Sequence, residues 1–355
     1  RVVFAYGDVS HVAVMHLASR ALAAGADFVL PGPERTMLRS RRPVIAVTAV
    51  RTGCGKSQVA RYLSRRLRET GQRVAVLRHP MPYGDLALQR VQRFATLADL
   101  AAAQCTVEER EEYEPHLAAG NVVFAGVDYA AILAAAEAEA DIVLWDGGNN
   151  DFAFVKPDLS IVLVDALRRD QLATHHPGEA ALRLADVVLI AKSNAAAPAT
   201  VDAIAREVAL LNARARILRG RSVVSADAPD RLRGRRAVVV EDGPTITHGG
   251  MAHGAGYAFC REIGATIVDP RPAAEGDIAA AYRAYPHIGP VLPALGYSPA
   301  QLEKLRLTLD RVDADVIAVA TPIDLAAVVQ LSKPSVRIRY DYAEADSPGL
   351  GDLVG

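Results

Sequence analysis

Residues 44–57 read Val-Ile-Ala-Val-Thr-Ala-Val-Arg-Thr-Gly-Cys-Gly-Lys-Ser, and the rest of the chain is organised around this stretch. The apolar run at 44–50 follows Pro43 and ends at a glycine-rich turn, which is typical of a buried parallel strand. After the turn, Val59, Leu63 and Leu67 recur with helical spacing before Gly71. A strand, a glycine-rich turn, Gly-Lys-Ser and a helix in this order predict a phosphate-binding loop.

The residues of this loop suit a nucleotide. Glycines let successive backbone N–H groups point into one concavity, and the following helix adds the positive end of its dipole. We expect Lys56 between the β- and γ-phosphates and Ser57 on Mg²⁺. A chance Gly-Lys-Ser in an ordinary turn is the alternative, which the flanking strand and helix disfavour. The predicted nucleotide-binding residues of the loop are Arg51, Thr52, Gly53, Cys54, Gly55, Lys56 and Ser57.

The loop belongs to a tighter variant of this motif. Five residues before Gly55, where a glycine is usual, the chain has Val50. The form at 51–57 resembles the loop of dethiobiotin synthetase, the nitrogenase iron protein and metallochaperone GTPases. We therefore predict an α/β fold in which a phosphate-loop NTPase domain with a mostly parallel sheet is flanked by further α/β structure on both sides.

A second anchor is the apolar strand at 141–145, which is followed by Asp146, Gly147 and Gly148. This order is typical of a Walker B strand, whose carboxylate holds Mg²⁺ through water. Asp146 is thus a predicted metal ligand and catalytic residue opposite Ser57, and Asn149, Asn150 and Asp151 extend the polar rim. The alternative is a plain Asp-Gly-Gly turn, which is less favoured downstream of a phosphate loop.

Polar side chains gather after the next predicted strand, 73–78. They are Arg78, His79, Asp85 and Arg90. The carboxyl ends of parallel strands are where α/β sheets bind ligands, so we expect substrate contacts from the two arginines and His79. Asp85 is a candidate third magnesium ligand and catalytic residue. A solvated ion pair is the alternative for any one of these groups.

The segment 191–194 bears on the choice of nucleotide. It reads Ala-Lys-Ser-Asn at the place where guanine-specific proteins carry Asn-Lys-x-Asp. An aspartate accepts two N–H bonds from guanine, whereas the amide of Asn194 cannot accept both. We therefore predict that Lys192 and Asn194 border the base and that the nucleotide is ATP rather than GTP.

A long glycine-rich segment at 241–257 follows another predicted strand, 237–240. Its length exceeds what a simple strand-to-helix turn needs, so we predict a second anion-binding turn that holds the substrate. The predicted residues are His248, which we also assign a catalytic role, together with Gly249, Gly250 and His253. A mobile surface loop is the alternative.

We expect three domains. Residues 1–40 read as the end of a Rossmann-like domain whose upstream part is missing, 41–220 as the phosphate-loop domain, and 221–355 as a C-terminal α/β substrate region. The arginine-rich stretch at 214–236 is interpreted as a connector. The acidic stretch at 97–117 is predicted to be one helix with a solvated charged face.

Composition excludes several classes of protein. The 355 residues carry a formal net charge of −1 with a pI near 6.8, so no basic footprint for nucleic acid is present. No apolar run approaches the roughly 18 residues that span a bilayer. The three cysteines form no metal or disulfide pattern, which fits the cytoplasm. We expect a homodimer that binds neither nucleic acid nor membrane.

Four stretches resemble the cyclic 2,3-diphosphoglycerate synthetase family and its bacterial homologues. They are Val-Arg-Thr-Gly-Cys-Gly-Lys-Ser at 50–57, Arg-His-Pro-Met-Pro-Tyr-Gly-Asp-Leu at 78–86, Trp-Asp-Gly-Gly-Asn-Asn-Asp at 145–151 and Glu-Asp-Gly-Pro-Thr-Ile-Thr-His-Gly-Gly-Met at 241–251. The second and fourth are specific, because ordinary phosphate-loop proteins lack them. The segment 191–194 departs from the Asn-Lys-x-Asp expected of close bacterial relatives.

The resemblance implies an ATP-dependent ligase. ATP would phosphorylate one phosphate of 2,3-diphosphoglycerate, the neighbouring phosphate would attack, and inorganic phosphate would leave a cyclic phosphoanhydride. Lys56 and Mg²⁺ would neutralise charge on the nucleotide side. On the substrate side, the candidates are Arg78, His79, Arg90 and His248.

Two other readings remain open. A regulatory or metallochaperone GTPase predicts an intact guanine motif and a Cys/His metal cluster, and the sequence shows neither. A carboxylate-activating ligase of the dethiobiotin synthetase type shares the loop but does not need the long segment at 241–257.

Overall fold

The computed structural model describes residues 1–79, 85–148, 151–295, 298–322 and 324–354. Its strands are β1 (Val2–Val3), β2 (Val9–Ser10), β3 (Phe28–Val29), β4 (Val44–Ala49), β5 (Val74–Arg78), β6 (Gln92–Phe94), β7 (Val122–Ala125), β8 (Ile142–Asp146), β9 (Leu159–Asp165), β10 (His175–His176), β11 (Val187–Ala191), β12 (Arg216–Ala226), β13 (Arg236–Glu241), β14 (Thr266–Ile267), β15 (Leu292–Pro293), β16 (Val316–Ala320) and β17 (Ser335–Glu344).

Its helices are α1 (His11–Ala23), α2 (Lys56–Glu69), α3 (Leu97–Ala102), α4 (Val107–Ala118), α5 (Tyr129–Glu139), α6 (Gly178–Leu184), α7 (Pro198–Leu211), α8 (Gly243–Ile246), α9 (Ala255–Glu262), α10 (Gly276–Ala284), α11 (Pro299–Arg311) and α12 (Leu325–Val328). None of the described helices is long and apolar enough to cross a membrane.

The chain forms two compact units. The first unit comprises Arg1–Ala95, Ala119–Ser222 and Tyr342–Gly355, and the second comprises Thr96–Ala118 and Val223–Asp341. Both units are therefore assembled from segments that are separated in sequence. The domain boundaries predicted at residues 40 and 220 stay a prediction.

A mostly parallel sheet is the centre of the first unit. Its strand order is β12-β11-β9-β4-β8-β5-β7-β6, and within it β6 runs antiparallel to β7. Every residue of β4 is buried, as its unbroken apolar sequence predicts for a central parallel strand. Helix α2 buries Val59, Leu63 and Leu67, the residues with helical spacing. The order of strands places the ends of β8 and β9 on either side of the phosphate loop.

The N-terminal piece also belongs to the first unit. Strands β1 and β3 pair in parallel, with Val2 opposite Phe28, and α1 lies between them in sequence. Strand β2 pairs antiparallel with β10. The predicted fold class is confirmed: a phosphate-loop α/β region with a mostly parallel sheet is accompanied by an N-terminal βαβ piece and a C-terminal α/β region.

The strands of the second unit pair in parallel in the order β14-β13-β16-β17, with β15 also paired to β13. Two clusters of buried apolar residues hold this unit together, one containing Val239 and Ala318 and the other Val240 and Ile317. Because neighbouring residues of β13 alternate between the two clusters, both faces of this strand are covered. Its last residue, Glu241, emerges at the carboxyl end of the sheet.

The structure corrects two sequence interpretations. The stretch 214–236, read as a connector, contains the eleven-residue strand β12, in which buried Leu218 and Gly220 alternate with exposed Arg219 and Arg221. The arginines drew attention away from this period-two pattern. The acidic stretch 97–117 is two helices, because Thr106 caps a new start at α4 through a bond to the N–H of Glu109.

Candidate functional site

The phosphate loop connects β4 to α2 through a backbone that requires glycine. Gly53 and Gly55 have φ values of +81° and +104°, which residues with a Cβ rarely adopt. Gly55 is also the residue before α2, and no side chain caps the helix there. The start of this fourteen-residue helix therefore adjoins the loop, where the helix dipole favours an anion.

The carbonyl groups of the loop are held from behind by two cationic side chains. Arg168 donates to the carbonyl oxygen of Thr52 at 2.8 Å, and Lys192 donates to that of Gly53 at 2.8 Å. Asp165, at the end of β9, accepts from Arg168 at 2.9 Å and from Lys192 at 2.8 Å. Burial alone would raise the pKa of Asp165, but the charges of Lys192 and Arg168 lower it overall. This buried carboxylate thus fixes both cations that shape the loop.

The N-terminal piece contacts the start of the loop. Asp8 has a positive φ of 56° and pairs with the buried Arg51 at 2.6 Å. The second Asp8 oxygen accepts from the N–H of Thr52 at 3.4 Å, and Gln171 accepts from the other side of Arg51. Arg51 is therefore bound by protein groups, so its side chain orders the loop rather than reaching outward.

Lys56 is the first residue of α2 and is partly buried. Burial lowers the pKa of this ammonium, while the negative charges of Asp146 and Asp8 act in the opposite direction. Neighbouring Cys54 is buried, and burial raises the pKa of its thiol, so a reactive thiolate is disfavoured. The arrangement fits Lys56 as the cation for a bound phosphate.

Arg78 joins the two residues predicted to bind Mg²⁺. Its Nη1 lies 2.6 Å from Asp146 Oδ2 and 3.0 Å from the Asp146 carbonyl oxygen, and it donates to Ser57 Oγ at 3.5 Å. The side chains of Arg78 and Asp146 are 2% and 0% exposed, so this is a buried ion pair. The pairing of β5 with β8 places Arg78 directly beside Asp146. Arg78 therefore holds the carboxylate that is predicted to bind Mg²⁺, a role that its prediction as a substrate ligand did not include.

The donor set of Ser57 and Asp146 fits Mg²⁺. Both are oxygen ligands, the donor type that Mg²⁺ prefers, and both lie within 3.5 Å of one nitrogen of Arg78, so they are close to each other. Among the described residues, no group of three His, Cys, Asp or Glu side chains could hold a metal. Mg²⁺ would therefore depend on phosphate oxygens and water for its remaining ligands.

Other predicted residues near the loop have different partners. His79 Nδ1 lies 3.1 Å from Asp151 Oδ2. Asp85 is exposed and accepts from the N–H of Ala87 at 2.8 Å, while Arg90 is paired with Asp128 at 3.0 Å. In the described part of the chain, no contact brings Asp85 or Arg90 to Ser57 and Asp146. The predicted segments at 80–84 and 149–150 lie outside the described residues.

The predicted base-binding residues are both occupied by backbone contacts. Lys192 bonds the phosphate loop, as described above. Asn194 donates to the carbonyl oxygen of Ser222 at 3.0 Å and accepts from its N–H at 2.8 Å. The amide of Asn194 therefore ties the β11 turn to β12, and its border with a base stays a prediction.

In the second unit, the glycine-rich turn holds an anion of its own. Glu241 is 2% exposed and accepts from the N–H of Tyr257 at 2.7 Å, in the first turn of α9. A Cβ at Gly254 or Gly256 would contact the Glu241 carboxylate, so glycine is needed there. Burial raises the pKa of Glu241 to about 7, although backbone N–H bonds oppose this effect. The helix after this turn therefore binds a carboxyl group of the chain itself, and the role of the turn in holding a substrate stays a prediction.

The other predicted residues of the turn follow Glu241 in the sequence, at positions 248–253. His248 is exposed and its Nδ1 lies 3.3 Å from Tyr285 Oη, while His253 stacks on Tyr257 with ring centroids 4.4 Å apart. Gly249 is buried, and Gly250 has a φ of +70°. The segment is not an irregular loop throughout, since Asp242 caps the short helix α8 through the N–H of Thr245.

Sequence reasoning did not give a site role to several residues that the structure makes prominent. They are Glu111, Asp165 and Arg168. Asp165 and Arg168 could have been found, because they follow β9, the strand beside β4. Glu111 could not, because it lies in a charge run whose commonest form is a solvated face.

Comparisons with known proteins are consistent with this geometry. No family model matches the chain. LpxK from Aquifex aeolicus, crystallised in complex with ATP, superposes over 97% of this chain and 95% of its own with a TM-score of 0.54 and 12% identity, which supports the phosphate-loop fold. Arginine synthetase ArcE from Thermococcus kodakarensis is 52% identical over 354 residues, or 99% of this chain and 79% of the relative. The chain therefore belongs to the family of arginine synthetase ArcE, whose name is that of a ligase-type enzyme.

Proposed function

We propose that this protein is an ATP-dependent ligase that forms arginine. The observation that carries the proposal is the 52% identity to arginine synthetase ArcE, which extends over 99% of the chain. Identity at this level over nearly the whole length includes both units, and so both the nucleotide loop and the turn at 241–257. Cytoplasmic location and a homodimer are further proposals, and light scattering on the pure protein would check the second.

The chemistry of arginine formation fits a phosphate-loop enzyme. A guanidinium carbon carries three nitrogens, so making it from a ureido group requires the ureido oxygen to leave. Transfer of the γ-phosphoryl group of ATP to that oxygen would make it a leaving group and release ADP. Ammonia would then attack the carbon, phosphate would depart with the oxygen, and the attacking nitrogen would lose a proton.

Residues of the first unit have clear roles in the phosphoryl step. Lys56 and the N–H groups of α2 would bind the β- and γ-phosphates, since both are positive and lie at the open helix end. Ser57 and Asp146 would hold Mg²⁺, which would neutralise charge between these phosphates. Asp165, Arg168 and Lys192 would keep the loop in shape. Positioning and charge neutralisation then supply the catalysis.

Charge in the second unit favours arginine over a phosphorylated substrate. Glu241 and Asp242 end β13, and both side chains have a pKa that burial raises. A raised pKa favours the neutral acid, so these two groups do not select a cation by charge, but the turn at 241–257 also contains no lysine or arginine to neutralise a polyanion such as 2,3-diphosphoglycerate. Formation of cyclic 2,3-diphosphoglycerate remains the second candidate, supported by the stretches at 78–86 and 241–251 and by His248.

One experiment separates the two candidates. The pure protein is incubated with Mg-ATP and either citrulline plus ammonium, the ureido route to arginine, or 2,3-diphosphoglycerate. Arginine and ADP are measured by chromatography, and cyclic phosphoanhydride by ³¹P NMR. We expect arginine and ADP in equal amounts from the first mixture, and none with Lys56→Ala. A cyclic product from the second mixture without arginine from the first would contradict the proposal.

A further inference from the structure

Two polar side chains form a pair at the carboxyl end of the sheet of the first unit, next to the predicted magnesium site. His79 Nδ1 lies 3.1 Å from Asp151 Oδ2, and the two side chains are 41% and 30% exposed. His79 directly follows Arg78, whose guanidinium contacts Asp146 and Ser57. The imidazole is therefore partly open to a ligand, at the edge where parallel sheets bind their substrates.

The close approach of this pair depends on a glycine. Gly148 follows the end of β8 at Asp146 by two residues. A Cβ at Gly148 would lie 2.8 Å from the Cβ of His79 and 3.3 Å from Asp151 Oδ2, so a larger residue would push the pair apart. The turn that begins at the predicted Mg²⁺ ligand thus also makes room for the imidazole and the carboxylate.

A buried aromatic cluster holds the chain after Asp151 in place. Phe154 is 8% exposed, stacks on Tyr129 with ring centroids 4.1 Å apart and makes an edge-to-face contact with Trp145 at 4.8 Å. Its carbonyl oxygen accepts from the N–H of Leu38 at 2.7 Å. Asp151 therefore lies in sequence between β8 and this cluster, two fixed parts of the chain, as the orienting member of a catalytic pair requires.

An imidazole paired with a carboxylate in this way is able to accept a proton. When Nδ1 carries the hydrogen and donates it to Asp151, the lone pair of the neutral His79 ring is on Nε2. A proton taken up at Nε2 gives an imidazolium that the carboxylate stabilises. Neighbouring Arg78 stays protonated and is bound to Asp146, so it cannot serve as a base.

We propose that His79 is the catalytic base of arginine formation and that Asp151 is its positioning residue. This assignment rests on the proposed function, in which arginine forms from a ureido group, ATP and ammonia. The lone pair of ammonia forms a bond to the ureido carbon, the carbon–oxygen bond breaks, and phosphate leaves with that oxygen. One proton passes from the attacking nitrogen to His79 Nε2. From the imidazolium the proton passes to water or to the released phosphate, and the ring is neutral again for the next cycle.

Steady-state kinetics of His79→Gln test the base. Arginine formation from Mg-ATP, citrulline and ammonium is followed by chromatography. The kcat should fall by about 100-fold, because proton transfer by a positioned side chain contributes this much or more. The KM values for ATP and citrulline should change by less than about threefold, because the base acts in the transition state and not in ground-state binding. A kcat equal to that of the parent protein would overturn the assignment.

Hydroxylamine in place of ammonium gives a readout that a merely structural role would not change. Hydroxylamine is less basic than ammonia, so its adduct loses a proton more readily and depends less on a base. The rate of forming the hydroxylated guanidino product should therefore fall by less than about tenfold in His79→Gln. An equal loss with both nucleophiles would reject His79 as the base and leave it as a substrate contact or a structural residue.

Asp151→Asn tests the positioning residue. An asparagine does not stabilise the imidazolium, and its amide can donate to Nδ1, which puts the hydrogen of His79 on Nε2. Arginine formation should fall by about tenfold or more, again with a smaller loss for hydroxylamine. His11→Gln is the matched control and should keep the parent kcat, since His11 and Glu179 form a comparable pair at 3.6 Å with exposures of 41% and 24%.

Melting temperatures show which variants fold, and if His79→Gln does not, the nucleophile comparison in Asp151→Asn decides. The base and the proposed function fail separately. If the parent protein makes no arginine, the function is rejected and this step with it. If the parent protein makes arginine and folded His79→Gln does so at the same kcat, the function stands and His79 is not the base.

Discussion

The phosphate loop of the first unit and the turn at 241–257 of the second unit share a local design but not a charge. Each follows a buried central strand, contains glycines where a Cβ would be strained or would collide, and leads into a helix. The phosphate loop is surrounded by the cationic side chains of Lys56, Arg168 and Lys192, and no side chain caps the start of α2. In the second turn, the start of α9 already binds Glu241.

The comparison teaches that a glycine-rich turn before a helix predicts an anion but not its source. In the first unit, Arg168 and Lys192 are bonded to Asp165 and to carbonyl oxygens of the loop, and the start of α2 adjoins the predicted phosphate site. In the other, the chain supplies the anion, and the side chains left over are acidic. We therefore expect a nucleotide at the first turn, whereas the helix end of the second turn is occupied by a carboxyl group of the same chain.

The largest expected effect tests the phosphate loop of the first unit. Lys56→Ala should abolish ATP turnover, because the β- and γ-phosphates lose their fixed positive partner. ADP release is the measurement, and Lys156→Ala, which changes a lysine paired at the surface with Glu34, is the control. Turnover by Lys56→Ala at the parent rate would remove Lys56 from the mechanism.

The second prediction tests how much the buried ion pair of Arg78 and Asp146, beside the phosphate loop, contributes to the free energy of unfolding. Arg78→Leu leaves Asp146 buried without this partner, so we expect a loss of about 3–5 kcal/mol in the free energy of unfolding by urea. Arg73→Leu is the matched control, since its pair with Asp141 joins the opposite ends of the same two strands in an exposed position. Equal losses in both variants would show that burial of the pair is unimportant.

The acidic turn should respond to pH. The pKa of Glu241 is raised to about 7 in the folded protein, so the protonated form is favoured by folding. Its stabilising contribution is complete below the unfolded pKa and is lost as pH rises through 7, a difference of about 2–3 kcal/mol between pH 5 and pH 8. Urea unfolding should show this decline, and Glu241→Gln should reduce it. An unchanged pH dependence in that variant would contradict the assignment.

The relative affinity for ATP and GTP is a further test of the nucleotide predicted at the phosphate loop. ATP should bind more tightly than GTP, by about tenfold, because the amide of Asn194 cannot accept both N–H groups of guanine and is bonded to Ser222. Calorimetric titration of both nucleotides measures the ratio. Tenfold tighter binding of GTP would reverse this prediction and favour a GTPase.

The smallest effect is expected for the two histidines of the turn at 241–257. His248→Ala removes one polar group of an exposed side chain, so the KM for the non-nucleotide substrate should rise by less than about tenfold while the Kd for ATP is unchanged. His253→Ala should have a weaker effect, since its ring is stacked on Tyr257. A parallel loss of ATP affinity in His248→Ala would reject a substrate role.

The elements that depend on local sequence patterns were the ones that could be predicted from the sequence. The apolar run at 44–50, the two positive-φ glycines and the Walker B strand each specify their structure without distant contacts, so the phosphate-loop fold followed from them. Contacts between distant segments could not be predicted in this way. Asp8 and Arg51 are separated by 43 residues, and Arg168 and Thr52 by 116, and no local period reports such pairs.

The same limit explains the errors. Eight arginines between 214 and 236 hid a strand, because charge on one face of β12 looks like a linker when the alternation is not counted. The acidic run of α4 was assigned to solvent although Glu109 and Glu111 are buried, because a run of charges carries no local signal of burial.

The discontinuous second unit has a consequence for synthesis on the ribosome. Residues Thr96–Ala118 are made first, and their unit resumes only at Val223. At roughly 5–20 residues per second, the intervening chain takes several seconds or longer to appear. During that interval α4 has been synthesised but the remainder of its unit has not, because the ribosome is still making residues 119–222 of the first unit. A fragment starting at Val223 would lack this helix, so the second unit cannot be obtained complete by simple truncation.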